Sequence, residues 1–366
     1  MWYHSVMHQR LKDFIEAIGA SPVFRRKVHF QADQAFAAHS LTGPTVPDDG
    51  LPTRHYKISC NLSSKTLFMP VLMSKARACD IPVSMRLVLY GARPMALIHG
   101  RADYLAGLLR WAEQSGLYGI FSPTAFDLSP EDGKGDYNNL ALNPHAFTGE
   151  STDVSGAILV ASDLNRATLG YLAMLFGWDE YLGRLLGYPE CCANSFTKRW
   201  PQAVEQYQGD VAAILAIESK ADLNTSFDHH LNIYGRYFGC ELLSHFPCSF
   251  NCQHSIQQAK QIASILTVLE PDYMKSVERF LDCLVLFTPT NGITLFIGAK
   301  RGTNNEQWLV SADNIKTTNP DALPGKLKGN ITLKRSSTGV DINGYELNGT
   351  LLNFSAPSIK PNEITC

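Results

Sequence analysis

Leu182-Gly183-Arg184-Leu185-Leu186-Gly187-Tyr188-Pro189-Glu190-Cys191-Cys192 and, further along the chain, His245-Phe246-Pro247-Cys248-Ser249-Phe250-Asn251-Cys252-Gln253-His254 are the stretches around which the chain is organised. Each sets a proline one or two residues before a thiol, and each then runs into helical periodicity. Pro189 suits a first helical turn, where its missing N–H would have no partner. Phe196 and Trp200 then mark one helical face. After the second stretch, Ile256, Ala259, Ile262, Ala263, Leu266 and Leu269 recur at three- and four-residue steps, an amphipathic helix. Cys191, Cys192, Cys248 and Cys252 are therefore placed at or near two helix N-termini. Free N–H groups and the positive dipole end favour thiolate there.

Four thiolates near two helix starts suit a soft metal or an iron–sulfur cluster. Adjacent cysteines rarely ligate one zinc ion, because neighbouring side chains diverge. They can reach two irons of one cluster, or one can ligate while the other acts as a nucleophile. Ligand softness and compartment favour iron–sulfur over zinc, with metal-free thiol redox and a purely structural role as the alternatives. A structural role has to account for four thiols and two histidines in one short region. His245 and His254 bracket the second pair and are candidates for a further ligand or an acid/base group. Glu190, beside Cys191 in a first helical turn, either favours the dipole or accepts a proton.

Other motifs weigh less. Asp228-His229-His230 resembles a fragment of phosphoesterase metal motifs, but no partner carboxylates are recognisable and the N-cap reading of Asp228 prevails. Arg236 is placed to pair either a substrate anion or a surface carboxylate. There is no G-x-G-x-x-G, P-loop, H-E-x-x-H or G-x-S-x-G, which removes most of the weight from nucleotide-binding, zincin and esterase readings. The other cysteines considered, Cys60, Cys79 and Cys283, read as small core residues, and Cys366 is terminal.

Composition sets the frame. A chain of 366 residues buries a large core, and its length suggests two or three domains. With 45% hydrophobic and 18% charged residues it has the profile of a globular protein and not of a disordered one. A formal net charge of −2 provides no global field to recruit nucleic acid or an anionic membrane. No apolar run approaches the roughly 18 residues of a membrane span. Nine cysteines without a secretory signal point to a reducing, cytoplasmic setting and to thiols or metal ligands over disulfides.

In chain order, Ser5–Ile18 reads as a helix, and His55–Leu62, Thr66–Met73 and Met85–Leu89 read as strands. An apolar run, Pro94–His99, precedes a helix over Tyr104–Gln114 and a short strand over Gly119–Ser122, which suggests an α/β layer. Residues 123–155 are rich in turn formers without periodicity and read as a long loop, either a lid or disordered. A strand over Ala157–Ala161 leads to a helix capped by Ser162 or Asp163. Helices over Val204–Ser219 and Asp228–Leu243 lie between the cysteine stretches, and one over Tyr273–Leu284 follows. Asn-Gly turns then mark a C-terminal β-meander. The predicted architecture is α+β: an N-terminal α/β portion (1–156), a helical cysteine module (157–284) and a C-terminal antiparallel β region (285–366).

The phrase from Leu182 to Cys192, with Phe196, resembles the signature of a poorly characterised prokaryotic family that carries a Gly-Tyr-Pro-x-Cys-Cys motif. That family carries a later His-x-Pro-Cys-x3-Cys-x2-Ser motif, here His245-Phe246-Pro247-Cys248 to Cys252 with Ser255. The resemblance covers about residues 157–270 and implies one shared site without naming a reaction.

The leading expectation is a metalloenzyme holding an iron–sulfur cluster or zinc on Cys191, Cys192, Cys248 and Cys252. Redox or sulfur chemistry on a small molecule or peptide would follow. The competing expectation is a non-catalytic binding module with a structural metal. Coordination discriminates them: an open position implies catalysis, a closed four-ligand site structure.

Overall fold

A computed structural model describes residues 28–30, 58–60, 81–128, 141–146, 154–219, 226–288, 292–302, 307–323, 325, 327–336 and 338–355. The helix expected over Ser5–Ile18, the strand over Thr66–Met73 and residues 129–140 of the expected loop lie outside them. The chain is α+β. It divides into two units, one drawn from residues 1–127 and 143–178, the other from 128–142 and 179–366. The helices that carry the cysteines and the β region beyond residue 283 belong to the second unit. No helix among the described residues is long and apolar enough to cross a membrane.

In the first unit, β1 (Val28–Phe30) and β2 (Ile58–Cys60) pair antiparallel. Helix α1 (Val83–Leu89) occupies the run read from sequence as a strand over Met85–Leu89. A short apolar run does not distinguish strand from buried helix. Here Pro82 decides, its carbonyl accepting from the N–H groups of Met85 and Arg86 to start the turn. β3 (Met95–Arg101), α2 (Ala102–Gln114) and β4 (Tyr118–Phe121) follow as expected. β7 (Ser155–Ala161) pairs antiparallel with both β3 and β4. From Gly156 to Ala161 every residue of β7 is buried, as suits a central strand covered on both faces.

The long-loop reading of 123–155 is corrected over residues 124–128 and 141–146, residues 129–140 and 147–153 lying outside the described residues. β5 (Thr124–Leu128) and β6 (Ala141–Ala146) both lie in this sheet, whose order is β3-β7-β5-β6. Pro144 hid β6 from a sequence reading; it is tolerated because β6 is an edge strand. Helix α3 (Leu164–Phe176) is capped by Asp163, whose side chain accepts from the Arg166 N–H, and it ends at left-handed Gly177.

The second unit opens with α4 (Asp179–Leu185), α5 (Glu190–Tyr207) and α6 (Val211–Glu218). α5 runs through Pro201 to Tyr207, so the single helix expected over Val204–Ser219 is divided between the end of α5 and α6. The helix expected over Asp228–Leu243 is instead β8 (Ser226–Asp228) and two 3-10 turns, His229–Leu231 and Tyr234–Phe238. Gly235 shows why: a Cβ there would meet the Cys240 carbonyl at 2.5 Å, so the chain doubles back on itself. α7 (Gln253–Leu269) and α8 (Pro271–Leu281) complete the helices.

Two five-stranded sheets follow. One has the order β13 (Ile315–Thr317), β10 (Gly292–Ile297), β9 (Cys283–Thr288), β17 (Thr350–Ser355), β8. The other runs β11 (Lys300–Arg301), β12 (Gln307–Ser311), β14 (Asn330–Arg335), β15 (Gly339–Ile342), β16 (Tyr345–Asn348). Leu284, Leu286 and Phe296 from the first share a core with Trp308, Val310, Leu333 and Ile342 from the second. The β15–β16 hairpin turns at Asn343-Gly344, both at positive φ, as the Asn-Gly pair predicted. The meander stops there. β17 leaves for the other sheet, antiparallel to β9 and parallel to β8. Gly349 permits the crossing, since a Cβ there would meet the Phe287 carbonyl oxygen at 2.5 Å.

Candidate metal centre

The first cysteine stretch is a helix–turn–helix corner. α4 ends as Gly187 enters the left-handed region at φ +78° and the Tyr188 N–H reaches back to the Gly183 carbonyl. Pro189 stands at the N-cap of α5, one position earlier than a first-turn residue, and its carbonyl accepts from the N–H groups of Cys192 and Ala193. Gly183 has to be glycine for packing, because a Cβ there would lie 2.9 Å from the Ala193 Cβ. The motif thus folds α4 tightly against the start of α5 and puts Cys191 and Cys192 in a first helical turn.

The second stretch is irregular. Cys252 is the N-cap of α7, and Cys248 lies in the preceding turn, where the Cys252 N–H bonds the Ser249 carbonyl. Phe250 anchors this turn in an aromatic cluster with Phe227, Tyr234 and Phe354, and is 1% exposed. Arg236 is buried and donates to the carbonyls of Ile233, Leu243 and His245, with its guanidinium 4.5 Å from the Phe246 ring centre. It therefore holds the approach to Cys248, neither of the roles its sequence context suggested. Gln258 on α7 donates to the Gly187 carbonyl at 2.7 Å and ties the two stretches together.

The four sulfurs meet. Cys191 Sγ lies 3.8 Å from Cys192 Sγ and 3.7 Å from Cys252 Sγ, and Cys192 Sγ lies 3.7 Å from Cys252 Sγ. With Cys248 included, all four sulfurs fall within 4.8 Å of one another. The neighbouring side chains of Cys191 and Cys192 thus converge on one centre instead of diverging.

Residues 171–281 match the family model described as "Protein of unknown function (DUF483)". The match spans both cysteine stretches. No curated protein and no solved structure matches the chain.

Within the matched residues the surroundings of the sulfurs are polar on one side. The Cys248 N–H donates to Cys192 Sγ at 3.3 Å. Ser255, fully buried in the first turn of α7, sets its hydroxyl 3.1 Å from Cys192 Sγ and 2.8 Å from His245 Nε2. Sequence reading named Ser255 as a motif position without a role; its place three residues after Cys252, in the same first turn, was the available signal. His245 is buried against the Tyr188 ring and is linked to Cys192 Sγ through the Ser255 hydroxyl. His254 is exposed, with Nδ1 3.7 Å from Cys191 Sγ. Glu190 is exposed and paired with Arg184 at 2.8 Å, and Arg184 also pairs Glu180.

The thiols do not ionise alike. Burial pushes the Cys192 thiol well up, and burial together with neighbouring thiolate charge pushes Cys248 up to about 11. Burial also acts upward on Cys252, but hydrogen bonds from Ser255 and from the thiols of Cys248 and Cys192 outweigh it and hold it at about 6. Several thiolates this close repel one another, and a cation between them would relieve the repulsion. Cys283 is a core thiol as expected, buried beside Asn232 and pushed up to about 12 by burial. The side chains of Cys60, Cys79 and Cys366 lie outside the described residues.

Proposed function

We propose that Cys191, Cys192, Cys248 and Cys252 hold one zinc ion, and that this ion staples a non-catalytic binding module. The sulfur spacing carries the reading. Four thiolates around one zinc at about 2.3 Å sit on a tetrahedron with edges of about 3.8 Å. Three of the sulfur pairs lie at 3.7–3.8 Å. An iron–sulfur cluster spreads its four thiolates over two or four irons, and thiolates on different irons lie farther apart than the 4.8 Å within which all four sulfurs fall here. A four-sulfur site is also closed, which is the structural type. The ion would join the α4–α5 corner to the turn before α7, where the chain lacks regular structure. The N–H of Cys248 and the hydroxyl of Ser255 face Cys192 Sγ and would stabilise its charge as a bound thiolate.

One observation favours a second, reactive reading. Cys191 is only partly buried and has exposed His254 beside it. A metal-bound thiolate at that edge would be open to a small molecule or peptide, which retains the redox or sulfur chemistry expected from the sequence. Anaerobic purification followed by elemental and acid-labile sulfide analysis separates zinc from an iron–sulfur cluster. The expected result is zinc at this site without sulfide and without visible absorption. Iron with stoichiometric sulfide and a visible charge-transfer spectrum would overturn the zinc reading.

A further inference from the structure

A second set of donor atoms lies outside the four thiols. β8 ends at Asp228, and His229 and His230 begin the 3-10 turn that follows. Asp228 Oδ1 is 2.7 Å from His230 Nδ1 and 3.7 Å from His229 Nδ1, and one ligand atom from each residue falls within 4.8 Å of the others. An ion about 2.0–2.2 Å from each donor bridges donor pairs up to roughly 4 Å apart.

The sequence reading of Asp228 as a cap holds for the turn, since its carboxylate accepts from the His230 N–H at 3.0 Å. It leaves His229 unexplained. His229 Nδ1 is buried and has no hydrogen-bond partner among the described residues. The distance to Asp228 is too long for a hydrogen bond, and a buried orphan nitrogen costs stability unless something supplies a partner. The donors are also held in place. β8 is fixed to β17 in the register Ser355 to Asp228, and the two imidazole rings lie 3.9 Å apart between centres. Lys260 Nζ sits 3.1 Å from Asp228 Oδ2, so Oδ1 is the oxygen turned to the histidines.

We propose that Asp228, His229 and His230 form a metal site of their own, taking one divalent transition-metal ion. Two imidazoles and a carboxylate suit zinc or ferrous iron, whereas magnesium and calcium prefer all-oxygen sets. Three protein ligands leave a position for water or a substrate atom, the open type of site. The site shares no residue with the thiol centre. The Lys260 ammonium opposes the ion and weakens its affinity.

Metal titration of chelator-treated, reduced full-length protein, counted by equilibrium dialysis and elemental analysis, tests this. It is run with zinc and, anaerobically, with ferrous iron. The wild type is expected to bind a second equivalent of one of these ions beyond the thiol-bound one. His229→Ala, which leaves the Asp228 cap and the Lys260 pair in place, is expected to lose that second equivalent. His229→Asn, checked by circular dichroism, provides the same test if the alanine variant fails to fold. Lys260→Met is expected to retain the second ion and bind it more tightly. A wild type with no ion that the His229 variants lose, whether one equivalent or two are bound, would overturn the proposal. A single equivalent that Cys192→Ser removes would leave the thiol reading standing and sink only this one.

Discussion

The two cysteine stretches reach the same centre by opposite means. The first is regular: a left-handed glycine, a proline N-cap and a first helical turn place Cys191 and Cys192. The second is a turn of irregular backbone, positioned by two buried anchors, Phe250 and Arg236. A helix start fixes side chains through local hydrogen bonds, so its geometry follows from a short motif. A turn has to be fixed by long-range contacts. Adjacent thiols on a rigid helix can then converge on one ion because the turn supplies the remaining two from the other side.

The contrast breaks most severely when a buried ligand is removed. Cys192→Ser and Cys252→Ser are expected to lose the metal entirely, because a serine hydroxyl stays protonated at neutral pH. Zinc contributes about 10–16 kcal/mol of apparent binding free energy in small zinc domains, so these variants should show the largest fall in thermal midpoint. Cys191→Ser, at the partly exposed edge, should lose less. Equal metal content in the three serine variants would remove the distinction between edge and interior, and full metal content in all of them would remove the site.

A smaller effect separates the two scaffolds. Arg236→Met strips donors from the buried Leu243 and His245 carbonyls, a cost of about 2–6 kcal/mol for two orphaned acceptors. Phe250→Ala opens a cavity in the aromatic cluster and costs about 3–5 kcal/mol. Both should weaken metal binding as well as stability, because both hold the turn that carries Cys248. On the helical side, Phe196→Ala truncates a half-buried ring stacked on Trp200 and Phe246, and it should lower stability less and leave metal affinity unchanged. Denaturant unfolding and competitive zinc binding on the same variants check both halves. If Phe196→Ala weakens zinc as much as Arg236→Met, the turn is not the dependent partner.

The same difference explains what could be read from the sequence. The four thiols, the helix after Cys252 and the central strand Ala157–Ala161 were legible because spacing and periodicity are local. The paired β9 and β10 and the Asn343-Gly344 turn were legible for the same reason. The segment after Asp228 was not: its polar and apolar residues imitate helical spacing, but Gly235 lies against the Cys240 carbonyl and Arg236 is spent on backbone oxygens. β17 could not be assigned to its sheet, since its pairing with β9 and β8 and the close approach at Gly349 are long-range contacts. β5 and β6 were hidden by turn-forming composition and by Pro144 at a sheet edge. Ser255 acquires its role only when α7 meets α5.

X-ray absorption at the edge of the bound metal tests the central claim most directly. The expected result is a single shell of four sulfur scatterers at about 2.3 Å with no metal neighbour, lost in the Cys192→Ser variant. If metal titration shows the Asp228 site filled as well, the measurement is made on His229→Ala so that the thiol site is seen alone. A metal–metal distance with bridging sulfide, or a first shell dominated by nitrogen and oxygen, would contradict a single ion held by these four cysteines.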